Sequence, residues 1–198
     1  KAAKPDMIAL TGDIVDEDHD SISSVEDLLK GIKDLAPIYF VTGNHELTSL
    51  AATQYQELLA LFQKYGVTDL DNDSVKLKKG GQSITLYGRQ YFSQYLTDSL
   101  PIASDKDFDI LLYHGSDNFK EIAPYHYDLI LSGHAHGGIV RLPIWGGIFG
   151  NDGTFFPEYA GGEYTIGDAT LISSRGLGDA SIPRFNNPPE LVVIKLNP

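Results

Sequence analysis

The sequence predicts an α/β (α+β) fold in which two packed, mixed β-sheets are flanked by helices, as a single domain over residues 1–198. Strand-length apolar runs alternate with helical patterns in the first half of the chain, whereas strands dominate the second half. Paired Gly or Pro residues separate many of these runs, which is typical of strands joined by tight turns. A chain of 198 residues with 42% hydrophobic and 21% charged residues fits one globular domain.

The first half of the chain is expected to alternate strands with helices. An amphipathic helix is predicted over residues 21–35, because apolar residues recur at helical spacing and acidic residues lie in its first turns. The longest helical pattern covers residues 48–65 and ends at Gly66. The remaining predicted elements of this half are strands at 7–11, 38–42, 75–78 and 83–88, and a helical stretch at about 91–97.

The second half is expected to contain mostly strands. Predicted strands at 109–113 and 128–132 are separated by a short helix over 117–122. From Val140 onward the helical period is weak and Gly and Pro are frequent, so we expect further strands near 163–166, 169–173 and 190–196.

Composition narrows the classes of partner and ligand. The formal net charge of -12 argues against a nucleic-acid surface, because phosphate-backbone binding requires clustered Lys and Arg, whereas a small phosphorylated substrate remains open. The absence of cysteine leaves imidazole, carboxylate and amide groups as metal ligands. No apolar run reaches the roughly 18 residues that a membrane-spanning helix needs, and nothing in the sequence indicates an oligomeric state.

Metal-binding groups stand at the ends of four short apolar runs. The runs cover residues 8–11, 38–42, 110–113 and 129–132, and the groups that follow them are Asp13, Asn44 with His45, His114, and His134 with His136. Buried parallel strands are continuous apolar runs, and ligands of open α/β sheets gather at the carboxyl ends of such strands. The four run ends together therefore predict a metal site.

Each of these motifs has a simpler explanation when it is taken alone. A Gly-Asp pair is usually a turn, and residues 43–46 could be a turn followed by a helix that Asn44 caps. Two histidines in the Gly-rich segment 133–138 are harder to explain by packing. It is the joint occurrence of the motifs that favours a metal site, and its His, carboxylate and amide ligands suit Mn²⁺, Fe²⁺ or Zn²⁺ without deciding among them.

The same motifs resemble a known family. Gly12-Asp13, Gly43-Asn44-His45-Glu46, His114 and Gly133-His134-Ala135-His136 are similar to four of the five motifs of the calcineurin-like metallophosphoesterases. Residues 136–143, 173–178 and 183–190 look like the YkuE-type bacterial branch of that family. The resemblance implies a four-layer sandwich, two divalent metal ions, and hydrolysis of phosphomonoesters or phosphodiesters by a hydroxide that bridges the ions.

The resemblance also implies a role for each residue. Asp13 would bridge the two ions, and His136 would serve the first ion. His45 would contact the substrate phosphate and assist the leaving group without binding metal. The second ion would be completed by Asn44, His114 and His134. For Glu46 two roles remain open, as the carboxylate partner of His45 or as part of the start of a helix, and we favour the helix.

The Asp-x-His motif that comes first in the family has no match in this chain. We therefore expect the first strand to be missing from an N-terminally truncated domain, with one well-formed metal site and low or no activity. The YkuE-type resemblance implies a bacterial cell-envelope location, with an export signal or membrane anchor preceding Lys1.

The sequence also offers a candidate phosphate-binding arginine, an acidic run and two alternative functions. Among Arg141, Arg175 and Arg184, we expect Arg175 in its Gly-rich turn to be the best candidate for contacting a substrate phosphate. We interpret the acidic run around His19 as a solvated loop. The alternative functions are a nuclease, which the charge disfavours, and a catalytically silent metal-binding module, which the retention of His45 disfavours.

Overall fold

A computed structural model describes residues 3–16, 22–91, 96, 100–104, 107–150, 153–178 and 183–197. The strands are β1 (Ile8–Leu10), β2 (Ile38–Phe40), β3 (Val67–Asp69), β4 (Ser74–Lys79), β5 (Gln82–Arg89), β6 (Phe108–Gly115), β7 (Leu129–Gly133), β8 (Val140–Leu142), β9 (Gly146–Phe149), β10 (Gly162–Ile166) and β11 (Ala169–Ser173). The helices are α1 (Ile22–Ile32), α2 (Asn44–Thr48), α3 (Ala52–Tyr65) and α4 (Phe119–Ile122), the last continued by a 3₁₀ turn over Ala123–Tyr125.

The strands form two larger sheets and a hairpin. The first sheet has the order β1-β2-β3, and both of its strand pairs are parallel. The second sheet has the order β10-β11-β7-β6-β5-β4, with parallel pairing at its centre and an antiparallel pair at each edge. Strands β8 and β9 form a separate antiparallel pair. The predicted mixed sheets are confirmed.

The two sheets pack face to face between helical layers. Tyr39 of β2 lies in one apolar cluster with Ile110 and Leu112 of β6, so this cluster joins the two sheets. On the opposite face of β2, Phe40 packs against Phe62 of α3 with ring centroids 4.6 Å apart. The opposite face of β6 packs against α4. This succession of helix, sheet, sheet and helix is the expected four-layer sandwich, because alternate strand side chains point to opposite faces.

Two predictions about individual elements differ from the structure, and three strands were missed. The helix predicted over 48–65 is confirmed over 52–65 as α3, but Thr48 ends the separate helix α2; between them Ala51 is extended and its N–H donates to the Gln54 side chain at 2.9 Å. Residues 190–196 form no strand with any other described residue, although they are apolar; strand propensity reports the fit to a half-buried surface, and Leu191 is exposed. Strands β3, β8 and β9 were not predicted.

Two other predictions lie largely or wholly outside the described residues, namely most of the helical stretch at 91–97 and the acidic run around His19. The single-domain assignment stays a prediction. No described helix has the length and apolar character needed to cross a membrane.

Candidate metal centre

Four strand ends bring the predicted ligands together. Asp13 lies just beyond β1, and Asn44 begins α2 directly after β2. His114 is the penultimate residue of β6, and His134 follows β7. Each pair of strands is parallel and adjacent, so each pair delivers two side chains to the same edge of its sheet.

The ligand atoms converge on the imidazole of His114. Its Nε2 lies 3.0 Å from Asp13 Oδ2, 3.1 Å from His134 Nδ1 and 3.2 Å from Asn44 Oδ1. Ligand atoms of Asp13, His114 and His134 all lie within 4.8 Å of one another. This donor set suits a divalent cation, because it combines one carboxylate oxygen, one amide oxygen and two imidazole nitrogens.

The other nitrogen of His114 fixes the orientation of the ring. Nδ1 lies 2.6 Å from the carbonyl oxygen of Thr11, and because a carbonyl can only accept, Nδ1 carries the proton of this hydrogen bond. In its neutral form the imidazole therefore presents its Nε2 lone pair to the cluster. This is the arrangement usual for histidines that bind metals.

Electrostatics in the cluster favour positive charge. Burial by itself lowers the pKa of His114, but the Asp13 carboxylate outweighs it and raises that pKa above its ordinary value. Burial works to raise the pKa of Asp13, but the hydrogen bond and charge of His114 and the contacts of His45 lower it overall. A cation held between these groups would meet the same favourable field.

Two glycines permit the close approach of the loops after β1 and β2. A Cβ atom at Gly12 would lie 2.5 Å from the backbone nitrogen of Gly43, and Gly12 also has a φ of +87°. A Cβ atom at Gly43 would lie 2.2 Å from Asp13 Oδ1. Because real Cβ atoms do not approach other heavy atoms so closely, a larger residue at either position would force the two loops apart, and at Gly43 it would displace the Asp13 carboxylate.

Glu46 links the same two loops through its buried carboxylate. Its oxygens accept hydrogen bonds from the backbone N–H groups of Asp13 (2.9 Å), Ile14 (2.8 Å) and Val15 (3.4 Å), and from that of Gly43 (2.7 Å). Burial raises the pKa of Glu46, and these N–H groups oppose that rise. Glu46 does belong to α2, as the helix interpretation expects, but it also sets the backbone of Asp13, whose φ is +51°.

His45 lies beside the cluster. Its Nε2 is 3.7 Å from Asp13 Oδ2, its backbone N–H donates to Asp13 Oδ1 at 2.9 Å, and its Nδ1 is 3.5 Å from the hydroxyl of Ser49. About a fifth of the side chain is exposed (21%), so one side of the imidazole can meet a substrate. This placement suits a residue that works next to the metal.

His136 does not join the close group of Asp13, His114 and His134. Its Nδ1 is buried and has no hydrogen-bond partner among the described residues. Burial, aided by the positive charge of Arg184, lowers the pKa of His136 to about 4, so its imidazole is neutral near pH 7. A neutral imidazole whose buried nitrogen has no hydrogen-bond partner among the described residues fits a metal ligand.

The side chain of Arg175 packs against the loop that carries His134 and His136. Its Nε donates to Glu190 Oε2 at 2.7 Å, and its Nη2 contacts the same oxygen. A Cβ atom at Gly137 would lie 2.7 Å from Cγ of Arg175, so the alkyl chain of the arginine packs directly against the loop that carries His134 and His136. Contact between Arg175 and a substrate phosphate stays a prediction.

Sequence reasoning did not single out three residues that support the site. The ring centroid of Tyr91 lies 5.2 Å from that of His114 and 5.4 Å from that of His134, so Tyr91 packs against one side of the cluster. Thr11 acts through its backbone carbonyl, for which no sequence signal exists. Asn187 is buried and donates from Nδ2 to the carbonyl of His136 at 2.6 Å.

Comparison with known proteins agrees with this geometry. The sequence model of the family described as "Calcineurin-like phosphoesterase" matches residues 1–138. The chain belongs to this family. Membership supports phosphoester hydrolysis as the general reaction and divalent metal as the cofactor.

Curated relatives place this calcineurin-like phosphoesterase near YkuE, in agreement with the predicted branch. It is 30% identical over 202 residues to "Uncharacterized metallophosphoesterase YkuE" of Bacillus subtilis (strain 168), an alignment covering 98% of this chain and 68% of that protein. It is 27% identical over 195 residues to "Phosphodiesterase YaeI" of Escherichia coli (strain K12), covering 98% of this chain and 71% of that protein.

A solved structure supports the fold of this calcineurin-like phosphoesterase. The crystal structure of Phosphopantetheinyl Hydrolase (PptH) from Mycobacterium tuberculosis aligns with a TM-score of 0.53 at 10% identity, covering 87% of this chain and 82% of that one. At this identity the likeness concerns the fold alone.

Proposed function

We propose that this protein hydrolyses phosphomonoesters or phosphodiesters of small molecules at a binuclear metal centre. The observation that carries the proposal is the convergence of Asp13 Oδ2, Asn44 Oδ1 and His134 Nδ1 within 3.2 Å of His114 Nε2. These four residues would hold one ion. Asp13 and His136 would contribute to the other, since His136 Nδ1 is buried without a hydrogen-bond partner among the described residues.

Divalent ions bound here would polarise the phosphoester and lower the pKa of water. The protein's own part is to hold the substrate phosphate and to move a proton to the leaving group. We assign both tasks to His45, because it lies beside Asp13 but outside the group of close ligand atoms. Mn²⁺, Fe²⁺ and Zn²⁺ all suit the ligand set.

The charge of the chain supports a small substrate over a nucleic acid. A nucleic acid spreads its negative charge along the surface that binds it, and a net charge of -12 opposes such contact beyond the metal centre itself. A phosphate group at the centre would instead be attracted by the bound ions.

The test is hydrolysis of p-nitrophenyl phosphate and bis(p-nitrophenyl) phosphate by the 198-residue chain with each metal. Replacing His45 by Asn should lower kcat by about 10²- to 10⁴-fold, as for loss of a general acid, with unchanged metal content. His126→Asn, a change at an exposed histidine outside the motifs, should leave both unchanged. Loss of metal in His45→Asn would show that His45 is a ligand, and absence of hydrolysis by a wild type that holds two metal ions by elemental analysis would favour the silent module.

A further inference from the structure

A pocket of about 300 Å³ opens beside the metal cluster, and His134 forms part of its wall. Because His134 also belongs to the cluster of converging side chains, the pocket lies next to that cluster. Ligand pockets combine an apolar lining with a few polar groups. The remaining wall determines which organic group can accompany the phosphate.

One side of this pocket is aromatic and solvent-exposed. Phe155 and Phe156 line it with 73% and 62% of their surfaces exposed, and Tyr159 lies at its buried end. These aromatic side chains expose apolar surface to solvent beside the candidate metal centre, and a substrate group can cover that surface. Exposure alone is common on protein surfaces, but here it coincides with a pocket at the site.

The local backbone holds these aromatics in place. Phe155 packs edge-on against Phe149 of β9 with ring centroids 5.4 Å apart. Phe156 has a φ of +54°, a left-handed conformation that is unusual for a bulky residue, and its N–H donates to the carbonyl of Ile148 at 2.8 Å. Strain of this kind persists where surrounding contacts maintain it, and it is frequent at functional sites.

The charge of the pocket is negative. Its described lining contains Asp117 and Glu158 but no Lys or Arg. The ion pair of Glu158 with Lys120, at 2.7 Å, offsets the charge of Glu158, whereas Asp117 has no such cation among the described residues. A second phosphate or a carboxylate on the substrate would therefore be repelled.

We propose that this pocket is a substrate subsite that binds an apolar or aromatic, non-anionic organic group of the phosphoester. The inference rests on the proposed function and narrows it. It selects phosphoesters of uncharged aromatic or aliphatic alcohols and disfavours nucleoside polyphosphates and other substrates with a further anionic group.

The test compares two phosphodiesters that release the same p-nitrophenolate. Benzyl p-nitrophenyl phosphate should show a kcat/KM at least about 10-fold above that of methyl p-nitrophenyl phosphate, the size of effect typical for added apolar contact in a pocket. Phe155→Ala and Phe156→Ala should each reduce this ratio to about 3 or less, mainly through the KM of the benzyl ester. Trp145→Ala removes an exposed aromatic outside the pocket lining and should leave the ratio unchanged.

A charged analogue tests the electrostatic part. With 4-carboxybenzyl p-nitrophenyl phosphate, kcat/KM should fall by about 10-fold relative to the benzyl ester, and Asp117→Asn should recover most of the loss. Equal rates for the benzyl and methyl esters, or a preference that survives both Phe substitutions, would overturn the subsite while leaving phosphoester hydrolysis intact. Failure of the chain to hydrolyse any ester while it holds two metal ions would overturn the proposed function and the subsite with it.

Discussion

The carboxylate of Glu46 accepts a hydrogen bond of 2.9 Å from the backbone N–H of Asp13. Glu46 follows β2 and Asp13 follows β1, so one buried side chain ties together the two loops that carry Asp13 and Asn44. The same carboxylate also accepts from Gly43. The position of a metal ligand therefore depends on a residue that does not itself belong to the cluster.

Replacing Glu46 by Gln should loosen this connection. The amide keeps one acceptor oxygen but turns an NH₂ group toward backbone donors, which leaves buried N–H groups unsatisfied and should lower the free energy of unfolding by about 1–3 kcal/mol. Metal affinity should fall by about 10- to 100-fold, as when outer-shell partners of metal sites are lost. Urea unfolding and metal titration by calorimetry measure the two effects. Glu57→Gln, at an exposed position of α3, is the control, and equal metal affinity in both variants would contradict the positioning role.

Replacing Gly43 by Ala should disturb the site through steric overlap alone. The φ of Gly43 is -98°, which any residue tolerates, but its new Cβ would meet Asp13 Oδ1 at 2.2 Å. We expect a loss of about 1–3 kcal/mol in the free energy of unfolding, as for overpacking, together with weaker metal binding. Gly31→Ala is the matched control, because nothing lies within 4 Å of its Cβ, and in α1 it should stabilise by up to about 1 kcal/mol. Similar behaviour of the two variants in thermal unfolding would refute the close-approach argument.

Removing His114 should abolish tight metal binding. Its Nε2 is the atom around which the other three ligand atoms gather, so His114→Ala should lower metal affinity by more than the roughly 10- to 100-fold typical of outer-shell changes. Elemental analysis of dialysed protein and calorimetric titration measure this. His126→Ala should bind metal as the wild type does, and a His114→Ala protein with full metal content would place the ion elsewhere.

Asp71 should make stability depend on pH. Burial raises the pKa of Asp71 to about 6 from 3.8, although it accepts hydrogen bonds from Thr42 N–H at 2.9 Å and from the Thr42 hydroxyl at 2.7 Å. Between these two pH values the folded chain retains a proton that the unfolded chain releases. The stabilisation by protonated Asp71 is therefore complete below about pH 4 and is lost as pH rises through about 6.

The change amounts to at most about 3 kcal/mol, since each pKa unit corresponds to about 1.4 kcal/mol. It is measured as the difference in unfolding free energy between the wild type and Asp71→Asn from pH 4 to pH 7. Over this range the wild type should lose stability relative to the variant. The control is Asp34→Asn at an exposed position, for which the difference in unfolding free energy from the wild type should not change with pH in this way. The prediction is contradicted if the wild type becomes more stable relative to Asp71→Asn as pH rises.

Most of the fold was predictable because its central strands are buried on both faces and therefore appear as continuous apolar runs. Strands β6 and β7 were predicted within a few residues for this reason. Short strands such as β3, with mostly exposed side chains, lack the pattern. At residues 190–196 the apolar segment was wrongly predicted to be a strand. Composition alone does not produce a strand, because pairing also requires a neighbouring strand edge.

The sequence by itself determined the kind of chemistry, because it places carboxylate, amide and imidazole groups directly after buried strands. Only the tertiary structure decided which atoms meet. It gathers Asp13, Asn44, His114 and His134 closely, keeps His136 outside that group, assigns Glu46 to the backbone of Asp13, and sets Phe156 beside His134. The physical reason is that strand and helix patterns are local along the chain, whereas the placement of these side chains depends on contacts between residues 20 to 103 positions apart.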